Sequence, residues 1–244
     1  TLQLGENGNT SAGDAFQMRG FSTQTSTFVD GIRDLGAVSR DVFNLEQIEV
    51  VKGPSGSETG RGASSGFINL VSKLPKAENN REIGLNWNTA NHKRLTADIN
   101  QAINDDVAVR LNVMGQEGGI EGRDIVENEG YALAPSIAFG LNSDTRLYLY
   151  SQHIRQKNTA DGGIPTIGMK GFYNADPLLN AAPKVDRENF YGSVHDYEDV
   201  DADMYSAKIE ADLSENLKLT NLTRFGETQM NRALTGTIAL NSNN

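Results

Sequence analysis

Cysteine is missing altogether, which excludes disulfides, thiolate metal sites and cysteine nucleophiles. No apolar run comes near the ~18 residues that a membrane helix needs. The longest weakly polar stretch, Ala132 to Leu141, is short and interrupted by Pro135. If this chain enters a membrane, it does so as strands. Basic residues are also scarce: 22 Lys and Arg stand against 32 Asp and Glu, a formal charge of −10. No basic face is therefore available for nucleic acid. The three histidines, His92, His153 and His195, are far apart and none has zinc-protease spacing. No nucleophilic serine elbow is present, so the chain does not read as an enzyme. Hydrophobic residues make up only 37% of the 244 residues, which leaves a purely globular core underfilled.

What the chain does have, after Asn80, is a period of two. Leu95, Ala97 and Ile99 alternate with Thr96, Asp98 and Asn100; Val107, Val109, Leu111 and Val113 alternate with residues that include Arg110 and Asn112. Tyr131, Leu133, Pro135, Ile137, Phe139 and Leu141 alternate with small residues. Tyr205, Ala207, Ile209, Ala211 and Leu213 alternate with Ser206, Lys208, Glu210 and Asp212. A water-filled barrel in lipid needs an apolar outer face and a polar inner one. A soluble sandwich also alternates, so loop lengths decide. Asn91 to Lys93, Asn104 to Asp106, Asn142 to Thr145 and Ser214 to Asn216 are tight polar turns. Glu117 to Asn128 and Gln156 to Val200 are long. Short periplasmic turns and long external loops are the barrel pattern. Both turns flanking Arg94 to Ile103 look short, so one of them is a short external loop. About seven strands are expected, too few to close around a plug, since plug-holding barrels have about 22.

The first eighty residues read differently. Thr27 to Val29, Ile48 to Lys52 and Phe67 to Ser72 read as short strands bounded by glycine-rich turns. Ser39 to Leu45 is expected to form one helical turn, with Ser39 as cap and Asp41 near its positive end. Two glycine patterns are decoys. In Gly60-Arg-Gly-Ala-Ser-Ser-Gly66 the third glycine is one residue late for a dinucleotide loop, and a strand rather than a helix follows. Gly53-Pro-Ser-Gly56 lacks the lysine of a P-loop. The acidic run Asp196, Glu198, Asp199, Asp201 and Asp203 lacks EF-hand spacing and reads as a solvated junction between loop and strand.

Four motifs follow one another in order. They are Phe16-Gln-Met-Arg-Gly-Phe21, Phe28-Val-Asp-Gly-Ile-Arg-Asp34, Phe43-Asn-Leu-Glu-Gln-Ile-Glu-Val-Val-Lys-Gly-Pro54 and Gly60-Arg-Gly-Ala-Ser-Ser-Gly-Phe-Ile-Asn-Leu-Val-Ser-Lys73. The series resembles the plug domain of TonB-dependent outer-membrane receptors, and among them the ferric-siderophore receptors, catecholate-type members most. The resemblance covers roughly residues 14 to 78. The fold class it implies is mixed: a small α+β plug domain over 1–78, then antiparallel transmembrane β-barrel strands over 79–244, an incomplete part of a roughly 22-stranded barrel. It also implies that this is an internal piece of a longer receptor, without its leader, its earliest plug residues and most of its barrel.

The function implied is binding of a ferric siderophore, a catecholate one by closest resemblance, and its TonB-dependent import through the outer membrane of a Gram-negative bacterium. TonB is the expected partner, with ExbB and ExbD acting indirectly, alongside outer-membrane lipid. No cofactor is expected on protein side chains, because iron(III) travels as the siderophore chelate. Another cargo, such as cobalamin or a glycan, and a passive plugged porin or adhesin are the rival functions. Arg19 and Lys52 match plug positions whose basic side chains pair with barrel carboxylates in the family, a latch between plug and barrel. The plug apex, with Arg33, Gly36, Ser39 and Arg40, is the expected siderophore site. Arginine supplies charge and planarity for a polyanionic, aromatic chelate. The long loop adds Phe172, Tyr173, Arg187 and Tyr191. A competing role for Arg33 is a structural pair with Asp34 or Asp41.

Overall fold

The computed structural model describes residues 17–18, 21–22, 26–34, 36, 38–53 and 66–235. Two short strands, β1 (Gln17–Met18) and β2 (Phe21–Ser22), pair antiparallel at the start. β3 (Thr27–Val29) then turns through Asp30 and Gly31 into β4 (Ile32–Arg33). Both turn residues have positive φ, 52° and 81°, the backbone a two-residue Asp-Gly hairpin demands. β4 had no strand expectation, because the segment after Asp30-Gly31 reads as loop. β5 (Leu45–Lys52) starts three residues before the expected Ile48, and β6 (Gly66–Ser72) falls one residue from its expected start. The four strands form one mixed sheet, ordered β4-β3-β6-β5, in which β3 and β6 run parallel.

The expected helical turn is real but shorter and differently capped. It is a 3-10 turn over Val42–Asn44, and its cap is Asp41, not Ser39. Asp41 Oδ1 accepts from the Phe43 amide at 2.8 Å, which satisfies an orphan donor of the turn.

Seven strands follow: β7 (Asn80–Trp87), β8 (Lys93–Ala102), β9 (Val107–Gly119), β10 (Glu127–Phe139), β11 (Thr145–Asn158), β12 (Tyr197–Ser214) and β13 (Leu217–Ala233). Each pairs antiparallel with the next in a simple meander, so β7 and β13 are its edges. The faces are inverted relative to a soluble sheet. Asp98, Asn100, Arg110, Asn112, Gln152 and Ser206 are buried on the inside, while Leu85, Tyr131, Leu133, Ile209, Leu213 and Phe225 are exposed outside. That is the distribution a membrane-spanning wall needs.

The meander sorts the loops by end. Residues 88–92, 120–126 and 159–196 lie at one end; 103–106, 140–144 and 215–216 lie at the other. The short external loop is therefore 88–92, where the Asn88 carboxamide accepts from the Ala90 and His92 amides at 3.0 Å each. The two long loops are shorter than the sequence predicts because β9, β10, β11 and β12 continue past the apolar belt with polar residues. The longest carries a small helix, α1 (Pro177–Asn180), capped by Asp176.

The small sheet packs inside the curve of the wall. Val38 and Phe43 enter a strip made of Met114, Ala132, Ala134, Ile154, Val200 and Ala202. Three alanines in that strip leave room for the incoming ring. A second cluster joins Val29 and Leu70 to Met204. Burying two such apolar side chains contributes on the order of 3–5 kcal/mol, so the inner domain is held by packing before any ion pair is counted.

Candidate functional site

The segment Ser39–Asp41 follows the buried Val38 and reaches the end of the wall that carries the long loops. There it borders a cavity of about 320 Å³, lined also by Gln116, Gln156, Asp161, Glu198 and Arg232. Arg40 forks onto Asp34, with Nε 2.9 Å from Oδ2 and Nη2 3.0 Å from Oδ1, and its Nη1 donates to Gln152 Oε1 at 3.3 Å. The Gln156 amide donates to the Ser39 carbonyl at 3.3 Å. Strand β11 thus holds Ser39 and Arg40 of the apex segment.

Three wall arginines grip the inner domain. Arg94 on β8 forks onto Asp41 at 2.6 and 2.7 Å. Arg110 on β9 forks onto Asp98 of β8 at 2.7 and 2.8 Å and donates to the Leu74 carbonyl at 2.9 Å. Arg224 on β13 donates to Asp30 Oδ2 and to the Val29 carbonyl, each at 2.7 Å. Forked, charge-assisted bonds of this kind fix geometry as well as energy. Asp30 is the hub. Its carboxylate also accepts from the Ser72 amide at 2.7 Å, Ser72 Oγ at 2.8 Å and the Tyr150 hydroxyl at 3.1 Å. Near the other end, Lys73 Nζ lies 2.8 Å from Asp98 and Lys76 Nζ lies 2.6 Å from Glu46. Donation from Lys76 holds the Glu46 carboxyl below the usual range, against a smaller opposing effect of burial.

The external loops are stapled to each other. Arg123 forks onto Asp161 at 2.8 and 2.9 Å and donates to the carbonyls of Arg187 and Asn189 at 2.7 and 3.0 Å. Tyr191 donates its hydroxyl to the Asp186 carbonyl at 2.7 Å. Asp196 closes the long loop, accepting from the Ser193 amide, the Thr235 amide and the Thr235 hydroxyl at 2.8–3.0 Å.

Comparison with known proteins supplies the decisive observation. The profile of the family described as TonB-dependent Receptor Plug Domain matches residues 1–67. Over 243 residues the chain is 47% identical to the Catecholate siderophore receptor Fiu of Escherichia coli O157:H7, covering 98% of this chain and 32% of that protein. The closed-form crystal structure of the ferric-catecholate import receptor Fiu from E. coli K12 superposes with a TM-score of 0.91 at 47% identity, over 96% of this chain and 33% of that one. The crystal structure of the siderophore receptor PiuA from Acinetobacter baumannii superposes with a TM-score of 0.86 at 30% identity, over 96% of this chain and 33% of that one. The chain belongs to the TonB-dependent receptors. It spans about a third of the length of the curated relatives it matches. These relatives are receptors, not enzymes, in agreement with the sequence.

In this receptor the four-stranded sheet is the plug and the seven-stranded meander is the first part of the barrel. Of the expected apex residues, Ser39 and Arg40 line the cavity. Gly36 packs against the Arg40–Asp34 pair and Thr228 of β13. Arg33 lies apart on β4, with its guanidinium over the Phe28 ring at 5.2 Å. The carboxylates proposed as its structural partners belong to other arginines: Asp34 pairs with Arg40, and Asp41 with Arg94. Phe172, Tyr173, Arg187 and Tyr191 do not border the cavity; Tyr173 is 81% exposed and Arg187 contributes its carbonyl to the Arg123 staple. Lys52 is exposed at the end of β5, opposite Gly66. Arg19 lies outside the described residues. Two plug-to-wall ion pairs, Arg94–Asp41 and Arg224–Asp30, have the opposite polarity, with the cation on the wall and the carboxylate on the plug, whereas Lys73 on the plug side reaches Asp98 of the wall. A sequence signal for them exists: Arg94, Arg110 and Arg224 alternate with lipid-facing residues and must point inward.

Proposed function

We propose that the whole protein is an outer-membrane receptor that binds a ferric siderophore of the catecholate class and imports it with energy delivered by TonB. The observation that carries this reading is the placement of Ser39 and Arg40 at a cavity beneath the long loops, in a chain similar to a catecholate siderophore receptor along nearly its whole length. An iron catecholate is a compact polyanion with aromatic faces, and a guanidinium at the floor of a polar cavity suits it. Phe172, Tyr173, Arg187 and Tyr191 stand in the long loop, Tyr173 and Arg187 exposed and Phe172 and Tyr191 half-buried, where they meet cargo before the apex does.

The plug covers 1–78 and the barrel begins at 79 in this reading. Plug strand β6 ends at Ser72, and Leu74, Lys76 and Glu78 are pinned to the wall by Arg110 and Asn100. Cargo binding at the apex biases the plug toward a state that offers its N-terminal segment to TonB in the periplasm, with ExbB and ExbD energising TonB. TonB then remodels the plug, which requires breaking the wall contacts of Asp30, Asp41 and Leu74. Arg19 and Lys52 serve as further latch points toward the barrel. Iron(III) is cargo in its chelate, and outer-membrane lipid covers the belt.

Uptake of radiolabelled iron as its catecholate complex tests the proposal. Cells carrying the full-length receptor take it up, an isogenic strain without TonB does not, and Arg40→Ala lowers binding. Uptake that persists without TonB, or a preference for cobalamin or an oligosaccharide over the iron complex, overturns it.

A further inference from the structure

Among the described residues, the apex cavity is bordered by two guanidiniums, Arg40 and Arg232, and each already faces a carboxylate. Arg40 forks onto Asp34, and Arg232 Nε lies 3.1 Å from Glu198 Oε2. The remaining acids of the cavity, Asp41 and Asp161, are held by Arg94 and Arg123. The cavity is thus internally neutralised. A polyanion that enters it gains little until one of its oxygens replaces a resident carboxylate, because those acids repel it and the cations are engaged.

The two acid partners differ in how firmly they are anchored. Glu198 and Arg232 stand opposite each other in register on β12 and β13, so a long ladder of backbone hydrogen bonds carries both. Asp34 sits just past β4, a strand of two residues, and its amide bonds to the Thr27 carbonyl at 2.9 Å. Its carboxylate also accepts from the Gly36 amide at 3.1 Å. A Cβ on Gly36 would come within 3.2 Å of Asp34 Oδ1 and 3.3 Å of Arg40 Nη2, so a side chain here would press directly on this pair.

We propose that Asp34 is a resident counter-ion which cargo displaces from Arg40, and that its release loosens the β3–β4 hairpin and so reports loading to the Asp30 latch. The proposal rests on the ferric-siderophore reading and specifies how that site senses its cargo. The link is short. Residues 27–34 are one hairpin, with Asp34 at its open end and Asp30 at its turn. Asp30 in turn holds plug strand β6 through Ser72 and the wall through Tyr150 and Arg224. A ligand shifts a conformational equilibrium only through contacts that differ between the two states. Here the differing contact is Arg40 to Asp34 in the empty receptor and Arg40 to a cargo oxygen in the loaded one.

The test uses the full-length receptor in detergent and in cells, with the trianionic iron(III) tris-catecholate complex as probe. Asp34→Asn keeps the shape and removes the competing charge. The variant should bind the probe about tenfold more tightly, as expected when a neutral acceptor replaces a charge-assisted one. In uptake its KM should fall while its maximal rate also falls, because the sensor is already released. Hydrogen exchange of residues 26–34 in the empty variant should match that of the loaded wild type. A merely structural role for Asp34 would raise KM instead. Unchanged or weaker binding by a variant that melts like wild type overturns the proposal, as does a gain in affinity confined to Glu198→Gln. If Asp34→Asn fails to fold, exchange at 26–34 in the wild type decides, and no increase on loading overturns it. Wild type that binds no probe at all is a different failure: it overturns the ferric-siderophore reading, and this proposal with it.

Discussion

Arg224 and Asp30 lie 194 residues apart and meet at 2.7 Å, while the same guanidinium holds the Val29 carbonyl at 2.7 Å. One wall side chain therefore grips both the side chain and the main chain of a plug turn. Both side chains are nearly enclosed, at 10% and 12% exposure, and a partner removed from such a pair leaves a poorly solvated charge behind.

Arg224→Ala should destabilise plug seating by about 3 kcal/mol, the order found when a buried pair loses one member. Limited proteolysis of the plug and leakage of large antibiotics into cells read the effect. Combining Arg224→Gln with Asp30→Asn should cost less than the sum of the two single changes, since the residues touch. Arg224→Lys keeps the charge but not the fork and should recover only part of the loss.

Arg123 joins two loops that otherwise share few bonds. Arg123→Ala removes the Asp161 fork and two carbonyl contacts at once. Protease cleavage around residues 186–189 should rise several-fold and uptake should fall, with the wall's melting unchanged. A lysine cannot serve Asp161 and two carbonyls in one plane, so Arg123→Lys should resemble the alanine variant.

Asp196 gives the long loop an acid-sensitive closure. Burial pushes its carboxyl up, but donation from the Ser193 amide, the Thr235 amide and the Thr235 hydroxyl outweighs burial and holds it below the ordinary value. A carboxyl depressed in the folded state contributes stability that is complete above its unfolded pKa of ~3.9. That stability is lost as pH falls through the lower folded value. Protection of the Ser193 and Thr235 amides should therefore hold at neutral pH and decline below about pH 4. Asp196→Asn should weaken protection at pH 7 and flatten this acid dependence.

The parts legible in the sequence are those fixed by local rules. Alternation with a period of two placed Asp98, Asn100, Arg110 and Asn112 on the buried inner face, because a strand leaves no other choice. Strands β3 and β6 were legible from β-branched and aromatic residues ended by turn signals. The cap was not: Ser39 and Asp41 are both good cap residues, and Asp41 wins because its other oxygen is also held by Arg94 across the interface. β4 was missed for a similar reason. Ile32 and Arg33 are too few to show a period, and only pairing with β3 makes them a strand. The wall contacts of Asp30 and Asp41 join residues more than fifty positions apart. No spacing rule reaches that far, although the inward parity of Arg94, Arg110 and Arg224 announces that each needs an acceptor.

The inverted faces can be tested on one strand. Ile209 sits midway along the outer apolar run from Tyr205 to Leu213 and is exposed, while Ser206, three residues earlier on the opposite face of the strand, is buried inside. In a soluble protein, arginine at an exposed position would cost almost nothing. On a lipid-facing strand it must carry its charge into hydrocarbon, at about 2–4 kcal/mol near the bilayer midplane. Ile209→Arg in the full-length receptor should therefore lower folding yield into vesicles and the urea midpoint, while Lys208→Ala on the adjacent inner position should change little. The penalty should shrink in thinner bilayers, where the side chain reaches the interface more easily. An Ile209→Arg receptor that folds into vesicles as stably as wild type would show that this face does not meet lipid.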